Sequence, residues 1–285
     1  MNPVTELLAH AAGQLERIAS NVPVACKVCA ASTSLFDVVD FSKTCHLNLY
    51  PSGLVAVPVY YRRCDRCEFI FTDFFDEFTP AQWGTYVYNE EYRRIDPDYS
   101  DVRPAGNARV VDGLLRYRRA GVIGLDYGGG SGQTCERLRA MGYAYDTVDP
   151  FGESWLTPDF AGRYNFCSAF EVAEHTPDPV GFLSAIVNLA DKGRLAILIG
   201  TQVHDKVVSA SRRLEWWYAA PRNGHISLYS TQSLRVLAAT FGLTYTGLSA
   251  QTHLFTREYT SREAYRFLVT GKLVSKLSSL MGMRK

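Results

Sequence analysis

At 285 residues and 47% hydrophobic, the chain carries enough apolar side chains for one large core or two smaller ones, which excludes a disordered or collagen-like polymer. With 30 Lys and Arg against 29 Asp and Glu the net charge is +1, so no overall field exists to hold a polyanion, and no nucleic-acid partner is expected. The longest apolar stretches, such as residues 195–199, fall far short of the roughly 18 residues that suggest a membrane span.

Residues 4–20 predict an amphipathic helix. Val4, Leu7, Leu8, Ala11, Leu15 and Ile18 recur at helical spacing, while Glu6, Glu16 and Arg17 deny the segment the basic start and apolar centre of a secretory signal. Without that signal the expected location is the cytoplasm. The texture then changes near residue 100 and near residue 257, which predicts an N-terminal helix over 1–22, a cysteine-rich module over 23–100, a central domain over 101–256 and a C-terminal helix over 257–285.

The front module has short β-like runs at 54–61 and 69–72 and dense aromatics, and it closes on the turn formers Asp96-Pro97-Asp98 and Pro104. From residue 105 the pattern is regular. A helix containing Val110, Val111, Leu114 and Leu115 precedes a buried strand at 122–127 and a glycine loop; a helix ended by Gly142 and a strand at 143–149 follow. Next come a strand at 164–170, a helix at 179–190 with Pro179 in its first turn, and a strand at 194–200. Strands alternating with helices imply a parallel sheet. The last helix, 230–241, leads into two strand-like runs, 243–248 and 251–256, whose two-residue gap allows only an antiparallel hairpin.

Five of the seven cysteines precede residue 70, leaving only Cys135 and Cys167; an odd count without an export signal argues for reduced thiols. Cys26-Lys27-Val28-Cys29 and Cys64-Asp65-Arg66-Cys67 form two Cys-x-x-Cys hooks separated by 34 residues. Four thiolates in two hooks suit tetrahedral zinc, with Cys26, Cys29, Cys64 and Cys67 as ligands; a filled set stabilises a module rather than catalysing. Unligated thiols or redox chemistry are the alternatives. The residues between the hooks should form an extended hairpin or insertion with Cys45 and His46 at its middle.

The segment Leu125-Asp126-Tyr127-Gly128-Gly129-Gly130-Ser131-Gly132 lies between a strand and a helix, where open α/β sheets bind ligands. Its glycines depart from Gly-x-Gly-x-x-Gly, since the position three after Gly130 is Gln133, and no Lys-Ser/Thr pair follows to make a Walker loop. Asp149, 21 residues after Gly128, falls at the end of the next strand, where a carboxylate can accept both hydroxyls of an adenosine ribose. An ordinary strand-to-helix turn is the plain alternative.

With these residues in place the central domain resembles a class I S-adenosylmethionine-dependent methyltransferase over about residues 105–256. The resemblance is carried by the loop 126–132, by Asp149, and by Phe170-Glu171-Val172-Ala173-Glu174-His175-Thr176-Pro177-Asp178-Pro179. It implies that Asp126 and the glycines Gly128, Gly129, Gly130 and Gly132 meet the methionine part of S-adenosyl-L-methionine and Asp149 the ribose. Phe151 and Phe170 neighbour the cofactor, with Tyr127, Pro150 and Glu171 beside them in the same segments. Only 14 residues separate Asp149 from Tyr164, so the third strand and its helix should be abbreviated. The implied fold is α/β: a Rossmann-like doubly wound sheet with a terminal antiparallel hairpin strand, preceded by a small zinc-binding module. That front module is similar to the cysteine-rich amino-terminal domains of bacterial methyltransferases acting on sugars.

A sulfonium methyl is already activated, so the protein must align the acceptor and remove its proton where there is one. His225, in Pro221-Arg222-Asn223-Gly224-His225, is the first candidate base, with Glu174 and His175 behind it; each could instead anchor its loop. Residues 201–230 are too long for a plain connection and are expected to form a lid, with Trp216, Trp217 and Arg222 facing the acceptor or else completing a core. Tyr88 and Tyr92 are expected in the pocket wall, core packing being the alternative.

After Thr256, seven basic residues face Glu258 and Glu263. A basic amphipathic helix there could dock on its own domain or rest on an anionic membrane surface. The reading is a methyltransferase acting on an oxygen or carbon of a small or carrier-linked acceptor, a sugar or sugar nucleotide, by base-assisted transfer. A nicotinamide-dependent oxidoreductase and a non-catalytic zinc-containing binding module are the alternatives.

Overall fold

In chain order the elements are α1 (Pro3–Ala19), β1 (Thr33–Asp40), β2 (Pro58–Cys64), β3 (Ile70–Phe71), α2 (Pro80–Tyr86), α3 (Tyr92–Ile95), α4 (Val102–Leu115), β4 (Ile123–Tyr127), α5 (Gln133–Ala140), β5 (Ala144–Val148), β6 (Phe166–Phe170), α6 (Pro179–Leu189), β7 (Leu195–Gly200), β8 (Ser227–Leu228), α7 (Thr231–Thr240), β9 (Thr244–Gly247) and β10 (Thr252–Arg257). The structure, a computed structural model, describes residues 3–45, 49–150, 161–209, 211–259, 263, 266 and 267. Phe151, His46 and most of the expected C-terminal helix lie outside the described residues. No described helix is long and apolar enough to cross a membrane.

The chain divides into two units. The first takes Met1–Pro97, Glu174–Val180 and Gln202–Leu237; the second takes Asp98–Ala173, Gly181–Thr201 and the described residues from Ala238 onward.

The second unit is the α/β half. Its sheet runs β5-β4-β6-β7-β10-β9, with β5, β4, β6 and β7 parallel and β10 antiparallel to both β7 and β9. Every residue of β7 is buried, as expected of a parallel strand covered on both faces, whose residues need not alternate. The hairpin forced by the short gap at 249–250 is β9–β10, with Leu254 of β10 opposite Leu198 of β7. Val111, Leu114 and Leu115 of α4 and Cys135 and Leu138 of α5 fill one core with Phe166, Leu198 and Leu254. Among the described residues β5 is the sheet edge beyond β4; the expected abbreviated third strand and its helix fall mostly on residues 151–160, outside the described residues.

The first unit is built on the antiparallel sheet β1-β2-β3-β8. The expected run at 54–61 resolves into β2, which starts at Pro58; Ala56, in left-handed backbone at φ +57°, interrupts the chain just before it. The residues between the two cysteine hooks form the β1–β2 hairpin, and Cys45 lies in its connection. Helix α1 buries Leu7 and Ala11 and sets the Gln14 amide against the main chain of Tyr60, accepting from its N–H and donating to its carbonyl, both at 3.1 Å. Gln14 thus does for β2 what a neighbouring strand would do, meeting the demand of main-chain groups for partners. Residues 201–230, expected as a lid, supply β8 to this sheet. They also supply Leu214, Trp216, Tyr218, Ala219 and Ile226 to a core shared with Val59, Tyr61, Phe74, Phe75 and Val87.

Candidate active site and cysteine cluster

In the second unit the loop after β4 is shaped by close approaches. Gly128 has φ +74°, and a Cβ there would fall 2.5 Å from Val172 Cγ2; a Cβ on Gly129 would fall 2.3 Å from Thr147 Oγ1. Both contacts are shorter than any side chain tolerates, so the loop must be glycine for the backbone to lie where it does. Gly128 N–H donates to the Val148 carbonyl at 2.7 Å, and Gly130 N–H donates to Asp149 Oδ2 at 2.8 Å. The carboxylate expected at a ribose therefore also holds the glycine loop to the end of β5. Pro150, which follows it, is half-buried.

Asp126 is buried beneath the loop, where its Oδ1 accepts from Ser168 Oγ at 2.7 Å; Ser168 in turn accepts from the Tyr145 hydroxyl at 2.9 Å. Tyr145 reaches Ser168 across β4 because residue 124 is glycine: a Cβ there would sit 2.1 Å from the tyrosine ring. Burial pushes the Asp126 carboxyl up to about 7, the charge of Asp149 adds to the rise, and the Ser168 hydrogen bond opposes it. Tyr127 packs edge-on against Phe182 at 5.7 Å between ring centroids. At the end of β6, Phe170 lies over Gly200, where a Cβ would meet the ring at 2.5 Å, and Glu171 takes the left-handed backbone at φ +55° while donating its N–H to the Gly200 carbonyl. Such a conformation in a non-glycine residue clusters at ligand sites. Val172, Ser168, Tyr145 and Gly200 were not among the sequence candidates, since only the close packing of three strands gives them a part.

The three candidate base residues all belong to the first unit and lie together. The side-chain ligand atoms of Glu174, His175 and His225 are within 4.8 Å of one another. Glu174 is fully buried and accepts from the Tyr218 hydroxyl; Ile226 N–H donates to the Glu174 main-chain carbonyl at 2.9 Å, fixing that segment beside β8. His225 Nδ1 lies 2.9 Å from the Tyr218 carbonyl and 3.4 Å from Cys45 Sγ, and His175 Nδ1 lies 3.2 Å from the Gly224 carbonyl. Gly224, at φ +83°, makes room for that imidazole: a Cβ there would fall 3.0 Å from His175 Nδ1.

Tyr88 is 45% exposed and stands edge-on to Tyr92 at 5.1 Å and 6.2 Å from the His175 ring, so the structure gathers these aromatics beside the histidines. Trp217 is 44% exposed, whereas Trp216 is buried in the core of the unit. Arg222 is buried, donating to the Val87 carbonyl at 2.8 Å and to Asn89 Oδ1 at 2.9 Å; it ties the tyrosine segment to the 221–225 loop, and desolvation lowers its affinity for its proton against the pull of Glu91.

The four hook cysteines also converge in the first unit. Cys26 and Cys67 sulfurs are 3.6 Å apart, those of Cys29 and Cys64 are 3.5 Å apart, and all four lie within 4.8 Å of one another. Tetrahedral zinc with sulfurs at about 2.3 Å sets them about 3.8 Å apart, so the cluster fits that ion. Each hook is a tight turn: Val28 N–H points at Cys26 Sγ at 3.4 Å and Cys67 N–H at Cys64 Sγ at 3.3 Å, and Ala30 and Glu68 leave the turns in left-handed backbone. Main-chain N–H groups aimed at sulfur favour thiolate, the form that binds metal.

Residues 100–248, just over half of the chain, match the family described as "Methyltransferase domain". No curated protein matches the chain. Similar solved structures include a mitomycin 7-O-methyltransferase, at 15% identity over 64% of this chain and 62% of that one with a TM-score of 0.44. A magnesium protoporphyrin IX methyltransferase from Synechocystis PCC 6803 with bound SAH is 14% identical over 62% of this chain and 98% of that one, TM-score 0.44. A plantazolicin methyltransferase in complex with a monoazolic desmethylPZN analog and SAH is 12% identical over 70% of this chain and 88% of that one, TM-score 0.45. With the family match lying over the β4 loop, Asp149 and the 170–179 segment, the chain belongs to the family described as "Methyltransferase domain".

Proposed function

We propose that the protein transfers the methyl group to an oxygen or carbon of a small or carrier-linked acceptor, a sugar or sugar nucleotide by class, with His225 as general base. The convergence of His225, His175 and Glu174 carries this reading, because the chain reaches Glu174 four residues after β6 ends at Phe170. S-adenosylmethionine, when bound, supplies a sulfonium methyl ready for in-line displacement. Asp126, the loop 128–132 and Asp149 would hold it: the glycines let its methionine part approach the backbone, and the carboxylates complement its positive charges.

His225 is set up to take a proton. A carbonyl only accepts, so the contact of Nδ1 with the Tyr218 carbonyl places the imidazole proton on Nδ1 and the lone pair on Nε2. Nε2 would take the acceptor O–H proton during transfer, and the resulting imidazolium would lie beside the Glu174 carboxylate. Tyr88, Tyr92 and Trp217 offer ring faces that suit the apolar side of a sugar. Cys26, Cys29, Cys64 and Cys67 would hold zinc as a structural crosslink; four thiolates complete a tetrahedral set, so the ion would stabilise the first unit without entering the reaction.

Calorimetry should give binding of S-adenosylmethionine and none of NAD. Label transfer from S-adenosylmethionine to a panel of nucleotide-linked sugars should fall by about a hundredfold or more in His225→Gln, the scale of a lost general base, with cofactor affinity unchanged. Unchanged turnover in that variant would remove His225 from the mechanism.

A further inference from the structure

The Glu174, His175 and His225 cluster has a second chemical capacity. Both imidazoles have Nδ1 set against a main-chain carbonyl, at 2.9 Å for His225 and 3.2 Å for His175, so both carry the tautomer that presents Nε2 as a donor atom. Histidines that ligate metals are held in this way, their other N–H given to a carbonyl or carboxylate that fixes ring and tautomer. Glu174 is oriented likewise, by the Tyr218 hydroxyl. The glycine at 224 is needed for the His175 contact, since a Cβ would crowd its Nδ1 at 3.0 Å and Val87 at 3.2 Å.

We propose that Glu174, His175 and His225 form a second metal-ligating site, separate from the four cysteines, which takes a divalent transition-metal ion of the zinc class. One carboxylate and two neutral imidazoles are the donor set of open zinc sites, where a further position is left for water. Ligand bonds of about 2.0–2.2 Å require the donor atoms to stand about 3–3.5 Å apart; one ring nitrogen of each histidine and a Glu174 carboxylate oxygen lie within 4.8 Å of one another, so small shifts close the site. The dication also offsets the cost of a carboxylate buried among aromatic rings. Resting on the reading of His225 as base, occupancy regulates transfer: the metal holds the Nε2 lone pair that would take the proton, so the loaded enzyme is switched off.

The test uses the full chain, washed with a mild chelator to leave only tightly held metal, then titrated with Zn²⁺ and with Co²⁺. A second equivalent is expected, and its cobalt spectrum should lack the strong sulfur-to-metal charge-transfer bands of the tetrathiolate site. His175→Gln and His225→Gln should each weaken that equivalent by about tenfold or more, at least the scale seen when only the partner of a metal-bound histidine is lost, and leave the first intact. Label transfer by the wild-type protein should fall by at least the same factor in step with second-site loading and return on adding a weak chelator. Saturation at one equivalent, or a second equivalent that survives both substitutions, overturns the site; loading that leaves transfer unchanged overturns the regulation. The wild-type cobalt spectrum needs no variant to fold. Because metal uptake is read without turnover, retention of activity by His225→Gln would sink the base reading and the regulation that rests on it but not the metal site, and saturation at one equivalent would sink the metal site but not the base reading.

Discussion

Gly128→Ala tests the architecture of the glycine loop after β4. The alanine would have to adopt φ +74°, which costs an L-residue about 1–2 kcal/mol, partly offset by about 0.4–1 kcal/mol from the reduced freedom of the unfolded chain. Its Cβ would lie 2.5 Å from Val172 Cγ2, against an ordinary carbon contact of about 3.5–4.0 Å, and overlap of this size in a packed site costs about 1–3 kcal/mol. The sum is about 1–4.6 kcal/mol, or a melting temperature lower by roughly 2–18 °C, with S-adenosylmethionine binding lost as the loop moves. Thermal and urea denaturation measure the first and calorimetry the second. The steric share can be separated: Val172→Ala removes the atoms struck, so the double variant should be more stable than the two single losses predict, by about 1–3 kcal/mol of coupling. A Gly128→Ala protein within about 0.5 kcal/mol of wild type, the range of an ordinary surface change, would refute the close approach. Zero coupling with Val172 would refute its steric cause.

Asp126 gives a pH signature. Its carboxyl is raised from its ordinary 3.8 to about 7 in the fold, so the stability it contributes is full below pH 4 and is lost as pH rises through about 7. Asp126→Asn should therefore gain on wild type between pH 5 and pH 8 in urea denaturation; a difference independent of pH would contradict the burial effect. On the zinc proposal, removing the ion should unravel the first unit, because structural zinc contributes on the order of 10 kcal/mol in small modules. Elemental analysis of the chelator-washed protein is expected to give one zinc per chain, and Cys64→Ser to give almost none together with early unfolding; a metal-free, equally stable wild type would exclude the site. Gly224→Ala, with its Cβ 3.0 Å from His175 Nδ1, should slow label transfer while leaving S-adenosylmethionine affinity near wild type. Unaltered transfer would show that the His175 cradle has no part in the reaction.

The order of strands and helices in the α/β half was legible because each element carries its own signal. A strand buried on both faces must be apolar throughout, as residues 195–200 are, and a two-residue gap between strand-like runs permits no crossover. The glycines of 128–132 and the paired Cys-x-x-Cys hooks are equally local, since their residue types follow from what a turn or a metal ion demands at fixed spacing. The sequence identified Glu174, His175 and His225 one by one but not their meeting, because 50 residues separate the first from the last and β8, which brings them together, is only two residues long. Nor could composition tell that Arg222 is bonded to the Val87 carbonyl or that Trp216 lies in the core, when both have side chains suited to binding a substrate. The part played by Val172 under Gly128, and by Ser168 and Tyr145 against Asp126, depends on which strands become neighbours. Residue type and spacing therefore settled the elements, the glycine loop and the cysteine hooks. Tertiary packing alone decided which buried polar groups share a site, since only burial obliges distant groups to satisfy one another's hydrogen bonds and charge.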